Sequence, residues 1–301
     1  MPIHYSHCPV CSSAHIAVLH DICDHSVSKE IFSVWSCKEC SHRFTQNAPS
    51  QEDIGPYYAS EAYISHSDSK EGLFNKAYHY ARDLMLARKK ALLEARNEAD
   101  QLGKGSLLDI GSGTGYFMNS MKTAGWDTIG IEADPGAREY SREKFALAVE
   151  DVDLLEKIDT ASKDAVSMWH VLEHVHQLQH YMQRIHQILK SDGTLFVAVP
   201  NCTSSDASHY EKEWAGWDVP RHLYHFTPAS MQKLAEINQF QIVERQGMPF
   251  DPFYVSMLSE RYKENSLGSI RGMFNGMVSF LRASGNVELS SSIIYVMKKK
   301  A

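Results

Sequence analysis

Residues 107–116 read Leu-Leu-Asp-Ile-Gly-Ser-Gly-Thr-Gly-Tyr. An apolar run reaches an acid, three glycines follow at alternate positions, and an amphipathic stretch begins. That order predicts a buried strand, a tight turn and the start of a helix. Glycines let the backbone take positive φ and approach a ligand closely. A ligand held there lies at the carboxyl end of a strand, against a helix N-terminus.

The rest of the chain repeats the alternation. Strands are expected at 107–110, 128–132, 148–150, 165–169, 194–199, 241–245 and 292–297, with helices at 116–124, 178–189 and 228–236. Asp134-Pro135 supplies a helix cap and a proline at the first helical position. Ser191-Asp192-Gly193 is expected to end the helix before strand 194–199. Such a pattern implies α/β architecture, a mainly parallel sheet with helices on both faces. Between the last two strands, residues 250–286 form an insertion expected to cover the substrate. Its Met273, Met277 and Phe280 are expected to pack in an ordinary helical interface.

The first fifty residues are different. Cys8-Pro-Val-Cys11 and Cys37-Lys-Glu-Cys40 are two C-x-x-C knuckles flanking a short strand at 32–35. Four thiolates at this spacing suit one tetrahedral structural zinc, so 1–50 reads as a zinc ribbon. Two redox or incidental cysteine pairs are the alternative. His7, His15 and His42 lie nearby and could replace a thiolate. Cys23 and Cys202 read as ordinary buried thiols. Residues 51–102 carry Tyr57, Tyr58 and Tyr63, then a helical stripe at Ala77, Tyr80, Ala81, Leu84 and Met85 that runs to about residue 99. This segment is expected to pack on the domain at 103–301.

The bulk numbers exclude other classes. A net charge of −7 does not suit a nucleic-acid binder. No apolar run approaches the ~18 residues of a membrane span. Residues 1–10 lack a basic then apolar leader pattern, so a cytoplasmic chain is expected, where thiols stay reduced.

Which nucleotide-like ligand fits follows from spacing. Glu132 ends the second strand, where a carboxylate can accept from both ribose hydroxyls. The third glycine comes one residue earlier than in a dinucleotide fingerprint, and Asp109 precedes the turn, which suits a cationic ligand. Asp109, Gly111, Gly113, Gly115 and Glu132 together resemble the class I S-adenosylmethionine-dependent methyltransferases, whose Rossmann-like sheet has seven strands. The resemblance covers roughly residues 106–245 and the closing strand. It implies S-adenosylmethionine contacts from Asp109, Gly111, Ser112, Gly113, Gly115, Tyr116 and Phe117, and from Glu132 and Ala133 at the ribose. It further implies Asp151 and Val152 around the adenine, and Trp169, His170 and Val171 beside the methionine end. His170-x-x-Glu173-His174 also matches the H-x-x-E-H pattern of inverted zinc proteases. That pattern needs a helix, whereas His170 follows a strand, so the methyltransferase reading is preferred and Glu173 and His174 are assigned to bracing the next helix.

After the fifth strand come Trp214, Trp217, Asp218, Arg221, His222 and His225, at the sheet edge where ligands bind. Trp214, Trp217, His225 and Tyr254 are the expected substrate contacts. His222 is the expected base, with Asp218 or Arg221 orienting it or the substrate. The alternative is that the aromatics pack beneath the loop while Arg221 pairs with Asp218. The stretch Arg-His-Leu-Tyr-His-Phe-Thr is similar to one in zinc-containing sugar C-methyltransferases. It departs at Arg221 and His225, so deoxysugar C-methylation is not carried over. The expected partner is a small-molecule or glycan acceptor. The rivals are ribosomal-RNA or protein methylation, and a non-enzymatic module that binds S-adenosylmethionine. Residues 1–50 carry three basic side chains (Lys29, Lys38, Arg43) against four acidic ones (Asp21, Asp24, Glu30, Glu39), a poor surface for phosphate. The acceptor atom and oligomeric state stay open.

Overall fold

The computed structural model describes residues 1–58, 73–96 and 105–300. Tyr63 and the end of the expected helix near residue 99 lie outside the described residues, as do the side chains of residues 73–78.

Seven strands form one mixed sheet. In chain order they are β4 (Ser106–Ile110), β5 (Asp127–Ile131), β6 (Val149–Glu150), β7 (Lys163–Trp169), β8 (Leu189–Pro200), β10 (Phe240–Gly247) and β11 (Ser292–Lys299). Their spatial order is β10-β11-β8-β7-β4-β5-β6. The pairs from β6 to β8 are parallel, and β11 runs antiparallel to both neighbours. The order reverses direction between β4 and β7, which opens a crevice at their carboxyl ends. Leu107 and Leu108 on β4, Val166 and Met168 on β7 and Val197 on β8 are fully buried, as strands covered on both faces require.

The covering helices are α1 (Leu73–Arg96), α2 (Tyr116–Thr123), α3 (Pro135–Phe145), α4 (Leu178–Ile188) and α6 (Pro228–Ile237). Asp134 caps α3 by accepting from Ala137 N at 2.8 Å, with Pro135 in the first turn. α4 buries Leu178, Met182, Ile185 and Ile188 as one stripe. One boundary differs from expectation. α4 passes into β8 at Leu189 without a loop, so Ser191, Asp192 and Gly193 lie within the strand. Lys163 pairs with Leu189 beside a register shift, which absorbs the turn residues as an irregular strand start.

The insertion between β10 and β11 is a helical hairpin, α7 (Asp251–Tyr262) and α8 (Gly268–Gly285). Phe280 packs towards Phe253, but Met273 and Met277 are about half exposed, contrary to the expected packing. Periodicity reports an apolar face; it does not report whether another element covers it.

The N-terminal segment folds as a second sheet, β1 (Ile16–Cys23), β2 (Ile31–Cys37) and β3 (Arg43–Thr45). Its fourth strand is β9 (Tyr224–His225), which comes from the loop after β8. A short strand from beyond β8 thereby completes the N-terminal sheet. Short α5 (Ser205–Tyr210) precedes that loop.

Candidate active site

The glycine turn is built as a cradle. Gly111, Gly113 and Gly115 have φ of +70°, +54° and +80°. Gly111 N and Ser112 N donate to Ile131 O at 2.7 and 3.0 Å, which folds the turn over the end of β5. A Cβ on Gly113 would meet no atom within 4 Å, so its outer side is open. Glu132 accepts from Gly113 N at 2.7 Å and from Asp134 N at 2.9 Å, so it is aimed at the same opening. Ser112 Oγ and Trp169 Nε1 are buried with no hydrogen-bond partner. Orphaned polar groups at a strand's carboxyl edge fit a polar ligand that would satisfy them.

Asp109 lies beneath the turn, in β4, paired in register with Gly130 and Ser167. Its carboxyl is buried and accepts from Ser167 Oγ at 2.5 Å. Burial pushes it up to about 7, against the opposing pull of Ser167 and Lys89. The Lys89 ammonium sits 4.5 Å over the Trp169 ring, and burial lowers its pKa. Phe117 meets Trp169 edge-on at 5.2 Å, and Tyr116 faces the Arg82 guanidinium at 4.1 Å. Further along the crevice Arg138 donates to the carbonyls of Glu132 and Ala133 and pairs with Asp151 at 2.9 Å. Val152 starts the next turn and packs on the core. Val171 lies against the turn: a Cβ on Gly111 would come within 2.2 Å of its side chain.

At the end of β7, His170 takes φ +59° and turns the chain sharply. Its Nδ1 lies 3.4 Å from Glu173 Oε1 and its Nε2 3.3 Å from Asp251 Oδ2 on α7. Burial by itself would push this imidazole down, but Asp251 and Glu173 outweigh it and hold it up at about 9. Glu173 is 1% exposed, and neither of its carboxylate oxygens is hydrogen bonded. His174 shares its Nδ1 between Arg221 O at 3.0 Å and Tyr58 OH at 3.1 Å; burial, then the His222 charge, push it down to about 4. H-x-x-E-H is therefore on a strand-to-loop turn and not on a helix, and Glu173 and His174 engage Tyr58 and the loop at 221–223.

They meet His222. Its Nδ1 is 2.9 Å from Gly216 O, and its ring stands edge-on to His174 with centroids 4.6 Å apart. Leu223 N donates to Glu173 O at 2.8 Å, which holds this loop against the end of β7. Asp218 Oδ2 is 3.9 Å from His222 Nε2. Arg221 is 1% exposed: it donates to Asp218 through Nε and Nη2 at 3.0 and 2.7 Å, to Tyr57 O at 2.8 Å and to Asp24 Oδ1 at 3.0 Å. Trp214 and Trp217 are buried; their indoles donate to Asp206 and to Glu211 O. His225 is buried, with Nε2 3.0 Å from Thr45 Oγ1, whereas Tyr254 is largely exposed. The loop thus brings Asp218, Arg221 and His222 together and places Trp214, Trp217 and His225 in the interior. Sequence reasoning missed that Glu173 and His174 share a cluster with His222, and that Tyr58, Lys89 and Asp251 border it. Only the H-x-x-E-H spacing gave a signal.

The four knuckle cysteines form a second cluster. Cys8 Sγ and Cys40 Sγ are 3.6 Å apart, as are Cys11 Sγ and Cys37 Sγ. Thiolates on one zinc at ~2.3 Å stand about 3.8 Å apart, whereas a disulfide is ~2.05 Å. The donor set fits one tetrahedral ion. None of His7, His15 and His42 joins this cluster. Cys202 is buried as expected; Cys23 is only half-buried.

Comparison with known proteins agrees with this geometry. Residues 78–245, more than half of the 301, match the family described as a methyltransferase domain, and the chain belongs to that family. It is similar to the mitochondrial ubiquinone biosynthesis O-methyltransferase of Bos taurus, 29% identical over 164 residues, covering 49% of this chain and 44% of that protein. The ubiquinone biosynthesis O-methyltransferase of Azorhizobium caulinodans is 25% identical over 158 residues, covering 48% and 62%. The chain spans about half the length of the curated relatives it matches. Among solved structures, a putative sarcosine dimethylglycine methyltransferase from Galdieria sulphuraria superimposes with a TM-score of 0.52 at 13% identity, covering 75% of this chain and 88% of that one. A SAM-dependent methyltransferase from Archaeoglobus fulgidus does so at 0.50 and 18%, covering 75% and 98%. At such identities the likeness is one of fold.

Proposed function

We propose that this chain transfers a methyl group from S-adenosylmethionine to a small-molecule acceptor. The meeting of the open Gly113 edge with Glu132 supports the cofactor reading, as do two buried polar atoms without partners, Ser112 Oγ and Trp169 Nε1. Glu132 would hold the ribose, Asp151 and Val152 the adenine, and Trp169, His170 and Val171 the methionine end. The bound sulfonium is already an activated donor, so the chain's own task is alignment: nucleophile, methyl carbon and sulfur in line, with water excluded. As the methyl carbon bonds to the nucleophile, the carbon–sulfur pair returns to sulfur. His222 assists removal of the acceptor's proton. Its Nδ1–H donates to Gly216 O, which leaves Nε2 a lone pair on the site side. Asp218 lies near that Nε2, and Arg221 fixes Asp218 in place. The named relatives methylate oxygen in ubiquinone biosynthesis, and an acceptor hydroxyl suits a lone pair here. The four cysteines would hold one structural zinc.

The test is incubation with methyl-labelled S-adenosylmethionine and size-fractionated extract. Label in small molecules supports the reading, and label in RNA or protein would replace it. His222→Ala is expected to retain S-adenosylhomocysteine binding and lose at least 100-fold in turnover. Cofactor binding with no transfer to any fraction would make the chain a binding module.

A further inference from the structure

We propose that Glu173, His174 and His222 form a binding site for one divalent transition-metal ion at the acceptor side of the crevice. One ligand atom of each lies within 4.8 Å of the others. The inference deepens the methyl-transfer reading and rests on it for the site's purpose: His222 Nε2 then holds the ion in place of accepting the acceptor's proton directly, and the ion acidifies that proton.

Three observations carry it. First, Glu173 is 1% exposed with both oxygens unbonded, although a buried carboxylate offers about four acceptor sites. His170 approaches one oxygen at ion-pair distance and leaves the rest unsatisfied. Second, both imidazoles are prepared as ligands. His174 Nδ1 faces Arg221 O, and His222 Nδ1 faces Gly216 O. An imidazole that donates Nδ1–H to a carbonyl keeps its lone pair on Nε2, the arrangement that orients metal-ligating histidines. Third, the surroundings carry excess negative charge. The carboxylates are Asp24, Asp218, Glu173 and Asp251, four in all, against Arg221, the Lys89 ammonium that acts on Asp251 and, counted as a cation, His170. The remaining negative charge favours a cation there.

Two imidazoles and one carboxylate suit zinc, iron(II) or manganese(II). Three ligands on one such ion at ~2.1 Å stand about 3.4 Å apart in tetrahedral geometry, so the cluster, now within 4.8 Å, closes by up to about 1.4 Å on binding. Three protein ligands leave an open position for an acceptor oxygen. That oxygen, once bound, would give its proton to solvent more readily and then attack the methyl carbon as proposed above.

The experiment is a manganese(II) titration of the whole chain followed by electron paramagnetic resonance. Manganese is chosen because thiolates prefer softer ions, so the cysteine cluster does not compete. The expected result is one bound manganese per chain, weakened at least tenfold in Glu173→Gln and in His222→Ala, with S-adenosylhomocysteine binding by calorimetry unchanged. That second readout shows the variants are folded. Absence of bound manganese and of a second zinc in the wild type, or unchanged affinity in both variants, overturns the site. If label transfer survives complete removal of this ion while the cofactor binds, the ion fails and methyl transfer stands. If the wild type does not bind the cofactor, methyl transfer fails whatever the manganese result.

Discussion

The Arg221 guanidinium lies 3.0 Å from Asp24 Oδ1 across 197 positions of sequence, and both side chains are buried. Asp24 sits in the turn between β1 and β2, where it also accepts from the backbone of Ser26, Val27 and Ser28. One carboxylate therefore closes the ribbon hairpin and anchors the loop that carries His222.

Breaking that link should cost stability on both sides. Asp24→Ala leaves a buried guanidinium with Asp218 as its remaining acid, and removes the acceptor of three turn N–H groups. We expect a loss of roughly 3 kcal/mol, a fall in Tm of about 6–12 °C. Asp24→Asn, which keeps the acceptor oxygen, should lose less. Thermal melts monitored by circular dichroism check this, and an unchanged Tm in Asp24→Ala would show that the pair contributes nothing.

Two glycines of one turn should fail differently. Gly111→Ala drives a Cβ to within 2.2 Å of Val171 at φ +70°, so the fold itself suffers by about 2 kcal/mol or more. Gly113→Ala meets no protein atom and costs about 1 kcal/mol of backbone strain, but its methyl projects into the open side of the cradle. Calorimetry with S-adenosylhomocysteine should show at least a tenfold loss for Gly113→Ala. Wild-type affinity in that variant would place the cofactor elsewhere.

Asp109 predicts a pH dependence. Its folded pKa, about 7, lies above the ordinary 3.8, chiefly through burial, with Ser167, Lys89 and Glu132 facing it. Folding thus favours the protonated form. The associated stability is complete below about pH 4 and is lost as pH rises through 7. Asp109→Asn keeps the acceptor for Ser167 and cannot ionise. Between pH 5 and 8 the cofactor-free wild type should lose at least about 1 kcal/mol more than this variant, or a few degrees in Tm. Parallel Tm profiles for the two would refute it.

The cysteine cluster and the acceptor loop should be coupled through β9. Cys37→Ser is expected to abolish zinc binding at the ribbon and to speed hydrogen exchange at residues 222–226, because β3 pairs with Tyr224 and His225. Cys202→Ser, a buried thiol outside the cluster, should leave zinc content unchanged. Elemental analysis and hydrogen-exchange mass spectrometry report the two effects. Unaltered exchange at the loop after zinc loss would mean the ribbon does not support it.

What was legible in the chain was local. The glycine spacing, the Asp134-Pro135 cap and the cysteine knuckles each act over a few residues, where backbone conformation and ligand bite depend on sequence separation alone. The strand and helix alternation was legible because a period of 2 or 3.6 marks which face is apolar. Strand β1 was missed since its half-buried, mixed sequence lacks a clean period, and the α4–β8 boundary since turn residues were absorbed into an irregular strand.

Tertiary structure alone decided the acceptor side. Nothing in the spacing of Glu173, His174 and His222 says that they meet; the pairing of Leu223 with the Glu173 carbonyl brings them together. Nor could sequence tell Trp214 and Trp217, which are buried, from Met273 and Met277, which are not. Burial is set by which surface another element covers, and that is fixed by contacts between segments distant in the chain.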